Sequence, residues 1–192
     1  MAQLQLAGLE VTERLYIEKT GITSEQATGG EVEATSTSAI PAGYPSDRSF
    51  VILSGLFNWE YGGNSSLHVE RTSDTLLTWY THFTDVYGRN DFAAMIFSAQ
   101  LILLASPPKS IQLVSKSIPY ATNGYRALTS ALPIAVDPAK AICFINSSLD
   151  IYAVGGGQST DLEVSAPQTL TWKITSTGAL GTKTLRAVII DP

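Results

Sequence analysis

The chain has 192 residues, of which 44% are hydrophobic and 15% are charged, and its formal net charge is −5. This composition supplies enough apolar side chains for a buried core and excludes an acidic disordered tail. The 12 Lys and Arg residues form no cluster along the chain. Because phosphate binding requires concentrated positive charge, we expect no nucleic-acid partner.

Short segments of β-branched and aromatic residues alternate with turns rich in Gly, Pro, Asn and Ser, a pattern typical of β-sandwiches and barrels. In chain order, strands are predicted at 11–19, 30–37, 49–53, 57–61, 67–71, 75–83, 95–103, 111–117, 125–128, 141–145, 151–154, 162–164, 170–175 and 184–190. The segment 91–105 also resembles a helix, because Asp91 can cap a run containing several alanines. We predict a strand for its second half, because the equivalent part of the second repeat reads TLRAVIID.

The same order of anchor residues occurs twice in the chain. The stretch SAIPAGYPSDRSFVIL at 38–53 corresponds to SALPIAVDPAKAICFI at 130–145, and later in each copy Trp79 aligns with Trp172. Anchors that recur in one order predict an internal duplication. Since each copy contains only short alternating strands, the predicted fold is all-β, with two tandem antiparallel β-sandwich modules of jelly-roll or Ig-like type.

The segment ASPPKS at 105–110 is the predicted boundary between the two copies, because paired prolines interrupt strand pairing. The predicted domains are therefore 1–105, an N-terminal sandwich preceded by an arm at Met1–Glu13, and 106–192, a C-terminal sandwich. The arm contains no basic region followed by an apolar stretch, so we predict no signal peptide and synthesis in a reducing cytoplasm. No apolar run reaches the length of a membrane-spanning helix, and no membrane insertion is expected.

Reactive residues are few. The single Cys143 lies in the apolar run AICFI, where we expect a buried free thiol, and it excludes an intramolecular disulfide. His68 and Glu70 share one strand face, and Asp74 or His82 would complete a metal site with them, but we interpret the pair as an ordinary strand surface. No catalytic or phosphate-binding motif is present. The chain is therefore predicted to be no enzyme and to have no cofactor, metal or catalytic residue.

Aromatic residues crowd the first half, and five side chains there are candidates for contact with a ligand or partner. They are Trp59, Tyr61, Tyr80, His82 and Tyr87. Such rings stack on sugars in glycan-binding proteins and form core and cross-strand pairs in structural sandwiches. Alternation along LLTWYTHF places Trp79 on one face and Tyr80 with His82 on the other. We predict that Trp79 is buried and favour subunit contact over glycan binding for the outward residues.

The phrase AVDPAKAICF, preceded by SALPI and followed by strands that end in LRAVIID, resembles small β-sandwich modules of tailed-bacteriophage virion proteins. These are head decoration, fibre and tail accessory proteins, often built as tandem copies. The resemblance covers about a third of each half, and the first copy departs from it, with DRS in place of DPAK. It implies a structural virion protein that contacts other capsid or tail proteins. The alternative is a receptor- or glycan-binding module of a tail fibre that contacts a host surface glycan.

The composition also predicts self-association. Two small sandwiches with so many hydrophobic residues and so few charges would expose apolar area and strand edges as a monomer. We expect a homo-oligomer, which the resemblance implies is a trimer, with more than about 800 Å² of surface buried per subunit. The arm Met1–Glu13 is expected to reach a neighbouring subunit or the virion surface. Sedimentation of the purified chain over a range of concentrations tests this expectation, and a monomer that persists at high concentration would contradict it.

Overall fold

The computed structural model describes residues 4–6, 8–20, 31–57, 63–85, 96–118, 124–149, 158–176 and 183–192. Within these ranges all regular elements are β-strands, which confirms the predicted all-β class. The strands are β1 (Leu4–Leu6), β2 (Leu9–Thr20), β3 (Glu31–Ala39), β4 (Ser49–Phe57), β5 (Gly63–Arg71), β6 (Leu76–Asp85), β7 (Ile96–Leu104), β8 (Ser110–Ile118), β9 (Gly124–Ala131), β10 (Ile142–Ile145), β11 (Ser147–Leu149), β12 (Gln158–Ala166), β13 (Thr169–Ser176) and β14 (Lys183–Asp191). No helix in the described ranges could cross a membrane.

Two antiparallel sandwich modules follow one another along the chain, with the same order of strand pairing. The first module has the sheets β1-β2-β7-β4 and β5-β6-β3, and the second has the sheets β10-β14-β8 and β12-β13-β9. When strands are counted from β2 in the first module and from β8 in the second, and β11 is left out because it pairs with the first module, both modules have one order. The first strand pairs with the sixth, which pairs with the third, while the fifth lies between the second and fourth. The structure thus confirms an all-β fold consistent with two β-sandwich modules, and the shared strand order is the one that an internal duplication would produce.

Each module buries its own core between its two sheets, and each core draws apolar side chains from the inward faces of strands in both sheets. The first core includes Val51, Val69, Leu77, Trp79 and Leu101. The second core includes Val114, Leu170, Trp172, Ile174 and Leu185. Trp79 and Trp172 are both fully buried, as predicted.

The repeated Ser-Ala-Ile/Leu-Pro phrase has the same structural role in both modules. The indole nitrogen of Trp79 donates a hydrogen bond to Ser38 Oγ at 2.8 Å, and that of Trp172 donates to Ser130 Oγ at 2.9 Å. A buried indole N–H without an acceptor would be costly, so each tryptophan requires an oxygen at this point of the neighbouring strand. This requirement explains why the serine recurs with the tryptophan.

Lysine side chains protect two of the sheet edges. Lys19 donates to the carbonyl oxygen of Thr37 on the edge strand β3 at 3.0 Å, and Lys116 donates to that of Thr129 on the edge strand β9 at 2.7 Å. An edge carbonyl bound to an ammonium group is not free to pair with another chain, and the charge opposes such pairing. The two lysines therefore limit edge-to-edge aggregation at equivalent places in the two modules.

Several sequence predictions are resolved by the strand bounds. Ile96–Leu104 is a strand, as predicted for the second half of the segment with helical features. Leu4–Leu6 pairs with the start of β2, so this part of the predicted arm lies in the sheet of its own chain. The predicted strand at 151–154 lies outside the described residues, and so do residues 58–61 of the strand predicted at 57–61. Cys143 is a free thiol that packs against the second core, although it is half-buried and not fully enclosed.

Replacing Trp172 or Trp79 with Ala should lower the free energy of unfolding by about 3–5 kcal/mol, because either change leaves a large cavity in a core. Ser130→Ala and Ser38→Ala should each cost about 1–3 kcal/mol by leaving an indole N–H unpaired. Chemical denaturation followed by circular dichroism measures these values. Tyr125→Ala is the matched control, since Tyr125 is 63% exposed, and it should change stability by no more than about 0.5 kcal/mol.

The joint between the modules as candidate functional site

The predicted contact residues are only partly within the described structure. Trp59, Tyr61 and Tyr87 lie outside the described residues. His82 is placed by its backbone in β6, where it pairs with Ser66 of β5. Tyr80 is described fully: it is half-buried on the face of β6 opposite to Trp79, as alternation predicted.

Tyr80 belongs to a small cluster on the outer face of β5 and β6. Its ring lies directly across from His68, and the two rings are stacked with centroids 4.5 Å apart and planes 12° apart. Burial and a hydrogen bond with Glu70 raise the pKa of the Tyr80 hydroxyl. Because His68 covers one face of the Tyr80 ring, that face is not available to stack on a sugar.

Glu70 links this cluster to the second module. Its carboxylate lies 3.6 Å from Nε of Arg186, which is on β14, and the two side chains are only 17% and 21% exposed. A partly buried ion pair is screened less by salt than a surface pair, and removing one partner leaves the other charge poorly solvated. The pair therefore ties the outer face of the first module to a central strand of the second.

The main connection between the modules is a strand that crosses from one to the other. After β10 pairs with β14 inside the second module, the chain leaves that sheet at Asn146, and β11 pairs with β5 of the first module. Ser147 lies opposite His68 and Leu149 lies opposite Ser66. The second module thus covers a sheet edge of the first by adding a strand to it, and we refer to this contact, together with the packed faces beside it, as the joint.

The side chain of Asn146 makes the crossing possible, because it pairs with backbone groups of the first module. Its Oδ1 accepts a hydrogen bond from the backbone N–H of Leu53 at 2.7 Å, and its Nδ2 donates to the carbonyl oxygen of Val69 at 2.5 Å. The residue is completely buried. A buried amide satisfied at both ends fixes the distance and direction between β4, β5 and the crossing strand.

The hydroxyl of Ser147 replaces a backbone hydrogen bond that β14 loses where the chain leaves the sheet of the second module. The backbone N–H of Asn146 donates to the carbonyl oxygen of Arg186 at 2.8 Å, and the N–H of Arg186 then donates to Oγ of Ser147 at 3.0 Å. A side-chain oxygen therefore takes the place of the next backbone carbonyl in the ladder. The N–H of Arg186 on the central strand β14 therefore stays paired although the neighbouring strand has turned away.

An apolar layer lies beside these polar contacts, where the outer faces of the sheets containing β7 and β14 meet. Phe50 and Phe144 stack with ring centroids 5.7 Å apart. Ile102 and Leu104 of the first module and Val188 and Ile190 of the second are buried in the same cluster. Burial of this apolar surface supplies the main favourable free energy of the joint, and the polar groups set its geometry.

A cavity of about 170 Å³ opens between the modules, with Phe50, Glu70, Arg71, Gln112 and Val188 among the residues that line it. Five of its polar lining side chains have partners within the chain, namely Ser49, Glu70, Arg71, Gln112 and Asn146. Arg71 donates to Ser49 Oγ at 2.6 Å and to the carbonyl oxygen of Tyr44 at 2.7 Å, and burial lowers the pKa of its guanidinium.

Gln112, on the other side of the cavity, exchanges two hydrogen bonds with the backbone of Ile134, at 3.0 and 2.9 Å. This residue is almost fully buried, so its amide holds the loop after β9 against β8. The polar groups that line the cavity thus stabilise the joint and the loops around it.

The residues considered as metal ligands have other partners. His68 stacks on Tyr80, Glu70 pairs with Arg186, and Asp74 lies 3.5 Å from Arg71 in the turn between β5 and β6. Among the described residues, no group of three or more His, Cys, Asp and Glu side chains is placed to hold a metal ion.

Sequence reasoning missed the residues that build the joint, namely Asn146, Ser147 and Arg186. The one available signal was a difference between the two copies. The first copy has Ser54 where the second has Asn146, directly after an apolar run in which an amide would need partners.

No protein-family model matches this chain, and neither does any curated protein or solved structure. The inferences on function therefore depend on the residues and their geometry.

Replacing Asn146 with Ala should weaken the joint, because the Leu53 N–H and the Val69 carbonyl then have no hydrogen-bond partner in a buried interface. Each unpaired group costs about 1–3 kcal/mol, so we expect a loss of at least about 2 kcal/mol in the free energy of unfolding. The matched control is Ser54→Ala at the equivalent, exposed position of the first module, which should change stability by about 0.5 kcal/mol or less. Equal losses for the two variants, measured by chemical denaturation, would contradict this assignment.

Proposed function

We propose that this chain is a non-enzymatic structural protein of a tailed-bacteriophage virion, serving as a capsid decoration protein or as a tail or fibre component. In this role it assembles as a homo-oligomer and contacts other virion proteins. The observation that carries the proposal is the joint, in which β11 extends the sheet of the first module while Asn146 and the apolar layer hold the two modules together. A contact of this kind resists bending, and a stiff body suits a mechanical role.

The segment that resembles virion modules supports the proposal through its position at the joint. Asp137 closes the turn before β10, where its Oδ1 accepts the N–H of Ala139 at 3.0 Å and its carbonyl accepts that of Ala141 at 2.9 Å. This turn directs β10 along β14 and thus toward the crossing at Asn146. The resembling residues therefore form the part of the second module that leads into the connection between the modules.

The outward faces of the sheets provide surfaces suited to subunit contact. Thr35, Thr37, Thr129 and Thr175 are exposed on the strands β3, β9 and β13. Threonine hydroxyls lose less hydration free energy on burial than charged groups do, so a surface of this kind packs against a neighbour at a small desolvation cost. Because Lys19 and Lys116 occupy edge carbonyls, we expect assembly to use these faces in preference to the edges of β3 and β9.

Immunogold electron microscopy of purified virions from the phage that encodes the chain tests the proposal. We expect the label at one regular position on the head, tail or fibre, and peptide mass spectrometry of the same particles should give a fixed copy number. Particles from which the chain is absent, while it accumulates in the soluble lysate, would contradict the proposal. Binding to a glycan array that is lost on Trp59→Ala would instead support the receptor-binding alternative.

A further inference from the structure

His68 lies at the point where the second module pairs with the first. It is on β5 directly opposite Ser147, the first residue of the crossing strand β11. On its other side it pairs with Tyr80 of β6, whose ring it stacks against. A change in the charge of His68 would therefore act on the strand pairing that forms the joint.

The surroundings of the His68 imidazole make the addition of a proton unfavourable. Its Nε2 atom is buried and has no hydrogen-bond partner among the described residues. With the proton on Nδ1, this nitrogen is a bare acceptor, which an enclosed site tolerates at modest cost. A proton added to Nε2 would create a buried donor without an acceptor and would place a positive charge in a poorly solvated site.

The charged and titratable groups around His68 come from three strands. Arg186 of β14, in the second module, repels an imidazolium, whereas Glu70, two residues along the strand of His68, carries the opposite charge. Glu70 is already paired with Arg186 and hydrogen-bonded with Tyr80. The Tyr80 ring favours a cation weakly. The balance is unfavourable to the charged ring: burial, and then Arg186, lower the pKa of His68 to about 4.

We propose that His68 is an acid-sensitive latch of the joint, in which protonation of its imidazole favours an open state where β11 has separated from β5. In the open state the ring reaches water, so the added proton is solvated and lies farther from Arg186. At neutral pH the ring is uncharged and the latch is closed. The device responds to mild acid and requires no ligand.

The direction of the effect follows from proton linkage. A histidine in water has a pKa of about 6.5, so above this value the open and closed states bind protons equally and the joint has its full stability. Below it the open state gains a proton that the closed state does not take up until pH about 4. With these two pKa values the open fraction should rise about threefold from pH 7 to pH 6 and about sevenfold from pH 6 to pH 5. In that range histidine is the main side chain whose charge changes.

Hydrogen exchange of the intact chain tests the latch at pH 7, 6 and 5, with protection factors corrected for the intrinsic pH dependence of amide exchange. Protection of residues 147–149 should fall about threefold from pH 7 to pH 6 and about sevenfold from pH 6 to pH 5, while that of the second core at 170–174 stays constant. His68→Gln and His68→Phe should both remove the pH dependence, and the Phe variant keeps an aromatic ring against Tyr80 if the Gln variant folds poorly. The matched control His82→Gln changes the other histidine of the chain and should behave as the wild type.

Three outcomes would overturn the latch. In the first, protection at 147–149 does not depend on pH in the wild type. In the second, the fall persists in both His68 variants or disappears in His82→Gln, which assigns it to other groups. In the third, the second core loses protection together with β11, which means that the whole chain unfolds and the joint does not open separately.

Discussion

The relation between the two modules depends on one buried amide. Asn146 lies where a strand leaves its own sheet, and both ends of its side chain pair with backbone groups of the other module. Without such partners, the Leu53 N–H and the Val69 carbonyl would be buried and unpaired beside an apolar layer, a condition that native proteins avoid. With the amide in place, β11 aligns on β5 and Arg186 comes within reach of Glu70.

The duplicated parts that stayed alike are those whose contacts lie inside one module. The tryptophan–serine pairs and the lysines at the sheet edges occur twice, because each module has its own core and its own edges to protect. The copies diverge at Ser54 and Asn146. In the first module a bulge at Ser54 lets β4 continue along β7, whereas in the second the chain turns toward β5. The first module thus keeps this part of the chain in its own sheet, whereas in the second module the same part forms β11 and covers the edge of the first module.

The candidate site combines features that were predictable from the sequence with others that were not. Alternation placed Trp79 inward and Tyr80 outward, and the structure confirms both positions. The stacking of Tyr80 on His68 depends on the register between β5 and β6, which alternation alone does not provide. The contact of Glu70 with Arg186 depends on how two modules meet, and residues so far apart in the chain carry no local pattern that pairs them.

The sequence by itself determined the all-β class, most of the strands, the burial of Trp79 and Trp172 and the repetition of one building block. These features follow from side-chain alternation and turn residues, which act over a few neighbouring positions. Only the tertiary structure decided that the strand after Ile145 joins the other module and that Asn146, Ser147 and Arg186 hold it there. The physical reason is that strand alternation sets which way a side chain faces, whereas the partner of a backbone N–H or carbonyl is chosen by whichever distant edge packing brings within hydrogen-bond distance.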